Sequence, residues 1–102
     1  MESRLPLLLV LAGLPRPRTQ WVVQDERARR AARLDLAYPE RMIGIEYESE
    51  LHTTPEAVLR DAGRYTGLVD RGWRIYRYTR YDVVDAPGTL VEQITRALIR
   101  PR

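Results

Sequence analysis

Apolar residues recur along the chain with two different periods, and the switches between the periods divide it into elements. Residues 2–12 are almost continuously apolar through Leu5-Pro6-Leu7-Leu8-Leu9-Val10-Leu11, which predicts a buried first helix. Pro6 is tolerated there only within the first turn, and Gly13 and Pro15 end the helix. Trp21, Val22 and Val23 make a short β-prone run over residues 19–24, and the charged residues 25–30 predict a hairpin loop after it. Residues 31–38 and 42–48 place apolar side chains at every second position and are joined by Pro39-Glu40-Arg41, which predicts two further antiparallel strands. Period returns to helical over residues 55–70. Thr54 as N-cap before Pro55, or Thr53 paired with Glu56 as a capping box, starts that helix, and Gly72 marks its end. Val58, Leu59, Ala62, Tyr65, Leu68 and Val69 form its expected apolar side, with Arg60, Asp61 and Arg64 on the polar side. Residues 73–79 predict a fourth strand and residues 87–98 a last helix carrying Leu90, Val91, Ile94 and Leu98.

The expected order is αβββαβα in one α/β domain spanning residues 1–102. Because a helix separates the third and fourth strands, they run parallel through a crossover, giving a mixed four-stranded sheet with helices on both faces.

Composition narrows the chemistry. The chain has no cysteine, so disulfides and thiolate zinc sites are excluded, and a reducing cytoplasm is the expected compartment. All 17 basic residues are arginine. Lysine chemistry is therefore absent: no Schiff base, no P-loop lysine, no lysine base, and every cationic role falls to guanidinium groups suited to bidentate phosphate contacts. A net charge of +3 leans toward a polyanionic partner, and arginine-rich composition from GC-rich coding accounts for it equally well. The apolar run at residues 5–12 is similar to a signal-peptide core but has Glu2 and Arg4 before it and no clear cleavage site after it. It is also far too short for a bilayer, which takes about 20 apolar residues, so no membrane partner is expected.

The third strand carries the candidate chemistry. In Ile43-Gly44-Ile45-Glu46-Tyr47-Glu48 the apolar Ile43, Ile45 and Tyr47 share one face, so Glu46 and Glu48 share the other, about 7 Å apart. Leu34 and Leu36 are expected on one face of the second strand with Asp35 on the other, and hairpin pairing then sets Asp35 beside Glu46. Like charges about 4 Å apart repel by about 1 kcal/mol in water and about 4 at an effective dielectric of 20, so such a cluster invites a hard divalent cation. The alternative from periodicity is a solvated strand face.

Beyond these patterns, Arg33-Leu34-Asp35-Leu36-Ala37-Tyr38-Pro39, Ile43-Gly44-Ile45-Glu46-Tyr47-Glu48-Ser49-Glu50-Leu51-His52, Arg60-Asp61 and Gly72-Trp73-Arg74-Ile75-Tyr76-Arg77 carry a family resemblance. Together they resemble the small endonuclease-related domain akin to very-short-patch-repair (Vsr) endonucleases, within the PD-(D/E)xK, restriction-endonuclease-like superfamily. The resemblance spans nearly the whole chain. It implies a restriction-endonuclease-like αβββαβα core and a metal-dependent DNA endonuclease using Mg²⁺ or Mn²⁺. Asp35, Glu46 and Glu48 are its implied metal ligands, Glu2 a supporting acid on the first helix, and His52 an assistant at the phosphate. Leu34 stands where the family has proline, with the Asp after it retained; Glu48 stands where it has lysine and Ser49 where it has glycine, and these two leave the metal count and the general base open.

Arg60, Arg64 and Arg77 are the candidate DNA contacts. Arg60 and Arg64, four apart, can clamp a phosphate, or Asp61 can tie either into a surface ion pair. Arg74, Arg77 and Arg80 interleave with Tyr76, Tyr78 and Tyr81, as a stacking surface for nucleic acid or as core; Trp73 and Ile75 are packing residues. The family domain often follows an N-terminal DNA-binding region, so a fragment of a longer protein, a late start codon or a partner-dependent nuclease is expected. Two rival functions are a nuclease-fold module that binds DNA without cleaving it, and a regulatory or interaction part of an antitoxin-like protein.

Overall fold

The computed structural model describes residues 4–24, 30–48 and 54–100, and the hairpin loop expected around residues 25–30 lies largely outside them. The chain is α/β, with a four-stranded mixed sheet flanked by helices. Helix α1 (Arg4–Leu11) precedes strands β1 (Arg18–Gln24), β2 (Arg30–Tyr38) and β3 (Ile43–Glu48). Helix α2 (Pro55–Asp70), strand β4 (Arg74–Thr79) and helices α3 (Arg80–Val84) and α4 (Pro87–Ile99) follow. The sheet order is β1-β2-β3-β4, antiparallel except for the β3–β4 pair, whose parallel alignment follows from the α2 crossover.

Local chemistry explains the boundaries. Pro6 sits in the first turn of α1, where its missing N–H goes unused, and Gly13, at φ +91°, turns the chain out of the helix. A 3₁₀ turn, Pro39–Arg41, and left-handed Met42 connect β2 to β3. Thr54 caps α2 through an N–H···O bond from Ala57 to its Oγ1 at 3.1 Å, with Pro55 at N1. Helix α3 is an addition to the expected order. Its start is a capping box, with the Asp82 carboxylate accepting from the Thr79 N–H at 2.7 Å, and the Thr79–Asp82 spacing in the sequence is its signature.

The sheet separates two cores. On one face Leu36, Tyr38, Ile43, Ile45 and Tyr78 pack against Leu5 and Leu9 of α1, Val83 of α3 and Leu90, Ile94 and Ala97 of α4. On the other, Val23, Ala32, Leu34, Ala37 and Trp73 pack with Leu68 of α2. Tyr76 and Tyr78 belong to the first core, so the expected Arg–Tyr alternation along β4 is packing on its tyrosine side.

Two sequence expectations are corrected. Leu34 and Leu36 do not share a face: each enters a different core. The pleat breaks between them, at the rung where Gln20 of β1, at φ +52°, lies opposite the Asp35 region, bracketed by the pairs Thr19↔Leu36 and Trp21↔Leu34. A left-handed non-glycine residue rotates the strand locally, so strict alternation fails there. The second correction concerns α2. Val58 and Leu59, on its expected buried side, are 55% and 71% exposed, while Ala57, Asp61, Arg64 and Leu68 turn toward the sheet at helical spacing.

Candidate functional site

With its polar stripe turned inward, α2 forms one wall of a groove whose other wall is the end of the sheet. Arg33, Asp35, Glu46, Tyr47, Glu48, Ala57, Val58, Asp61 and Arg64 line it, enclosing about 430 Å³. Strand parity along β3 is as expected: Ile43 and Ile45 enter the α1/α4 core, while Glu46 and Glu48 line the groove. Gly44 lies on that groove-side face as well, where a Cβ would come within 2.9 Å of both Ile75 Cδ1 and Leu34 Cδ1.

Asp35 sits at the break in β2. The β2–β3 ladder runs through Tyr38↔Ile43, Ala37↔Gly44 and Leu36↔Ile45, and beyond it the Tyr47 N–H donates to Asp35 Oδ2 at 2.9 Å. A side-chain carboxylate thus takes the bond that a backbone carbonyl would have accepted in an unbroken ladder. This fixes Asp35 at the mouth of the β3 carboxylates, where it also lines a second groove, with Leu5, Pro6, Gln20 and Tyr47, on the α1 face.

Among the described residues Glu46 is the buried charged group, 6% exposed. Its Oε2 accepts from Arg64 Nη2 at 2.6 Å, and its Oε1 lies 3.4 Å from Arg77 Nε. Burial raises the Glu46 carboxyl above its ordinary pKa, with the charge of Asp35 adding to it; the Arg64 hydrogen bond and the charges of Arg64 and Arg77 pull the other way without cancelling it. Arg77 extends from β4 to Asp61 Oδ2 at 2.9 Å and Glu48 Oε2 at 3.4 Å, and its guanidinium covers the Tyr65 ring at 4.9 Å. Burial works against the Arg77 charge, but its bond to Asp61 and the charges of Asp61, Glu46 and Glu48 outweigh that and hold it more firmly protonated than usual.

The candidate DNA contacts Arg64 and Arg77 therefore point at carboxylates, and the ion pair weighed between Arg64 and Asp61 is present as a loose contact, with Asp61 Oδ1 at 3.6 Å. Arg60 is exposed on α2. Glu2 and His52 lie outside the described residues. Asp61 joins the site as a fourth acid. Its spacing with Ala57, Arg64 and Leu68 carried the signal, and the apolar residues on the opposite side of α2 concealed it.

Among the described residues around this groove, four carboxylates, Asp35, Glu46, Glu48 and Asp61, meet two half-buried guanidiniums, Arg64 and Arg77. Two formal negative charges remain, reduced to one by Arg33 on the exposed rim. All-oxygen donors with surplus negative charge fit a hard divalent cation in chemistry. They do not form a cage: among the described residues no three acidic or histidine side chains are grouped to hold a metal. Mg²⁺ takes one or two carboxylates and completes its shell with water and substrate oxygens, so it needs fewer protein donors than such a cage supplies. Among the described residues no helix is long and apolar enough to cross a membrane.

No family model matches the chain, and no solved structure matches it. Two Mycobacterium tuberculosis proteins, Uncharacterized protein MT2308 of strain CDC 1551 and Uncharacterized protein Rv2248 of strain H37Rv, are each 37% identical to it over 103 residues. Each alignment covers all of this chain, which spans 38% of the relatives' length.

Proposed function

We propose that the chain is a DNA endonuclease domain that hydrolyses phosphodiester bonds with a divalent cation, Mg²⁺ or Mn²⁺, held by Asp35 and Glu46. The observation that carries the proposal is the groove between the polar stripe of α2 and the sheet, in which acids outnumber interior arginines. The resemblance of the Asp35, Glu46 and Glu48 segments to Vsr-like nucleases supports the same assignment. Bound there, the ion supplies charge neutralisation at the scissile phosphate and activation of water. The chain's own groups do the rest. The Tyr47 amide orients Asp35, burial fixes Glu46, and Glu48, held beside Arg77, orients the attacking water and accepts its proton. Arg33 on the rim meets the DNA backbone as phosphates approach. His52 and Glu2 keep the roles that the resemblance gives them, at the phosphate and in support of the acids.

The test is incubation of the purified protein with supercoiled, linear and single-stranded DNA in Mg²⁺, Mn²⁺ or EDTA, with Glu46→Gln as control. Cleavage that needs the metal and Glu46 supports the proposal, and intact DNA under every condition contradicts it.

One observation favours a second reading, a DNA-binding module without cleavage: both Glu46 oxygens already face guanidiniums. In that case DNA binding persists in EDTA, falls with salt, and is indifferent to Glu46→Gln.

A further inference from the structure

A buried carboxylate is costly without a partner, and Glu46 has acquired two. The two arginines are not held alike. Arg77 is fastened by Asp61 at 2.9 Å, by Glu48 at 3.4 Å and by the face of Tyr65, so its contact with Glu46, also 3.4 Å, is one of several that hold it. Arg64 has one short bond, the 2.6 Å contact with Glu46 Oε2, and one loose neighbour, Asp61 Oδ1 at 3.6 Å, one turn back on the same helix. Among the described residues its Nη1 is enclosed without a hydrogen-bond partner, as are Nε and Nη2 of Arg77, so neither guanidinium is fully satisfied where it stands. Moving toward Asp61 takes Arg64 off Glu46 without disturbing α2, because residues three apart on a helix are neighbours.

We infer that Arg64 is a gate on the cation site: its guanidinium occupies the Glu46 oxygen that a divalent cation would use, so cation and Arg64 compete for it. The inference rests on the proposed function, since it concerns the same acids. With Arg64 in place, Glu46 is neutralised and the groove is stable without metal. Displaced, Arg64 pairs with Asp61 and leaves both Glu46 and Asp35 to the ion. The device lowers cation affinity in the resting chain, and by linkage anything that draws Arg64 away, such as a phosphate in the groove, tightens cation binding by the same factor.

Mn²⁺ binding to the full chain without DNA tests this, measured by calorimetry and by the electron paramagnetic resonance of free Mn²⁺, with circular dichroism to verify folding. The wild type, Arg64→Gln, Arg64→Lys and Glu46→Gln are compared. Arg64→Gln is expected to bind at least about fivefold more tightly than the wild type, the lower end of the range for coupled sites. Arg64→Lys, which keeps the charge but loses the planar fork, falls between them, and Glu46→Gln binds least. Equal or weaker binding by Arg64→Gln, or by Arg64→Lys should the glutamine variant not fold, overturns the gate while leaving the cation site standing if Glu46→Gln still weakens binding. Absence of Mn²⁺ binding in the wild type and both Arg64 variants overturns the cation site and the gate together.

Discussion

Glu46 shows how a single residue carries opposing demands. Its carboxyl is raised above the ordinary value of 4.5 because burial outweighs the two arginines. A raised folded-state pKa means that the protonated form is favoured by folding, so the associated stability is complete below the unfolded value and is lost as pH rises through the folded one. Glu46→Gln mimics the protonated form without titrating. Denaturant titrations over the acidic range should therefore show this variant gaining on the wild type as pH rises above 4.5 and reaching a plateau past the raised value. The opposite slope would mean that the guanidiniums dominate over burial. Tyr38 gives a second test at this scale. Its hydroxyl donates to the Pro15 carbonyl at 2.7 Å, tying the segment after α1 to β2, and burial pushes its pKa from 10.0 up to about 12. Tyr38→Phe should cost about 0.5–1.5 kcal/mol at neutral pH. That gap should shrink in chemical denaturation as pH rises from 10.0 through about 12, since the stability linked to the neutral phenol is lost there.

At the scale of elements, the sequence made most of the fold legible and hid the features that shape the groove. The element order, the parallel β3–β4 pair and the Thr54–Pro55 helix start followed from period, capping chemistry and crossover topology. Glu46 and Glu48 could be placed on one face because β3 is regular. Asp35 was legible as a candidate, yet its setting was not, because alternation presumes an unbroken pleat and the left-handed Gln20 lies where the pairing turns. Helix α2 misled for a related reason: Val58, Leu59, Tyr65 and Val69 form an apolar side that remains exposed, and the residues that meet the sheet include Asp61 and Arg64. A helix orients by its whole environment, and here the buried Glu46 and the polar end of β4 select the charged stripe. Helix α3 was written in the Thr79–Asp82 capping box but is short enough to merge with its neighbours in a periodicity count. The close approach at Gly44 provides the test for this scale. Gly44→Ala places a Cβ within 2.9 Å of Ile75 and Leu34 side-chain ends, in the layer that joins β3 to β4. Thermal or urea unfolding should show a loss of about 1–3 kcal/mol from overpacking. An unchanged midpoint would show that the two side chains yield freely.

For the molecule as a whole, the division of labour follows from the sheet. One face is closed by α1, α3 and α4 around a continuous apolar core, which holds β2, β3 and β4 in place. The other face is only partly apolar, and its remaining portion is the charged groove under α2. A continuous apolar core thus stands behind a polar groove whose acids come from β2, β3 and α2. The relatives from M. tuberculosis are longer proteins, of whose length this chain spans 38%. Within the groove, Asp35 is proposed to help hold a cation used to cut DNA. The most direct test of this is the initial nicking rate of supercoiled DNA in Mn²⁺ by the wild type and by Asp35→Asn, with both confirmed as folded. The variant is expected to lose more than the roughly 10- to 100-fold that follows removal of an outer partner of a metal ligand. Equal nicking rates from the two proteins would contradict it.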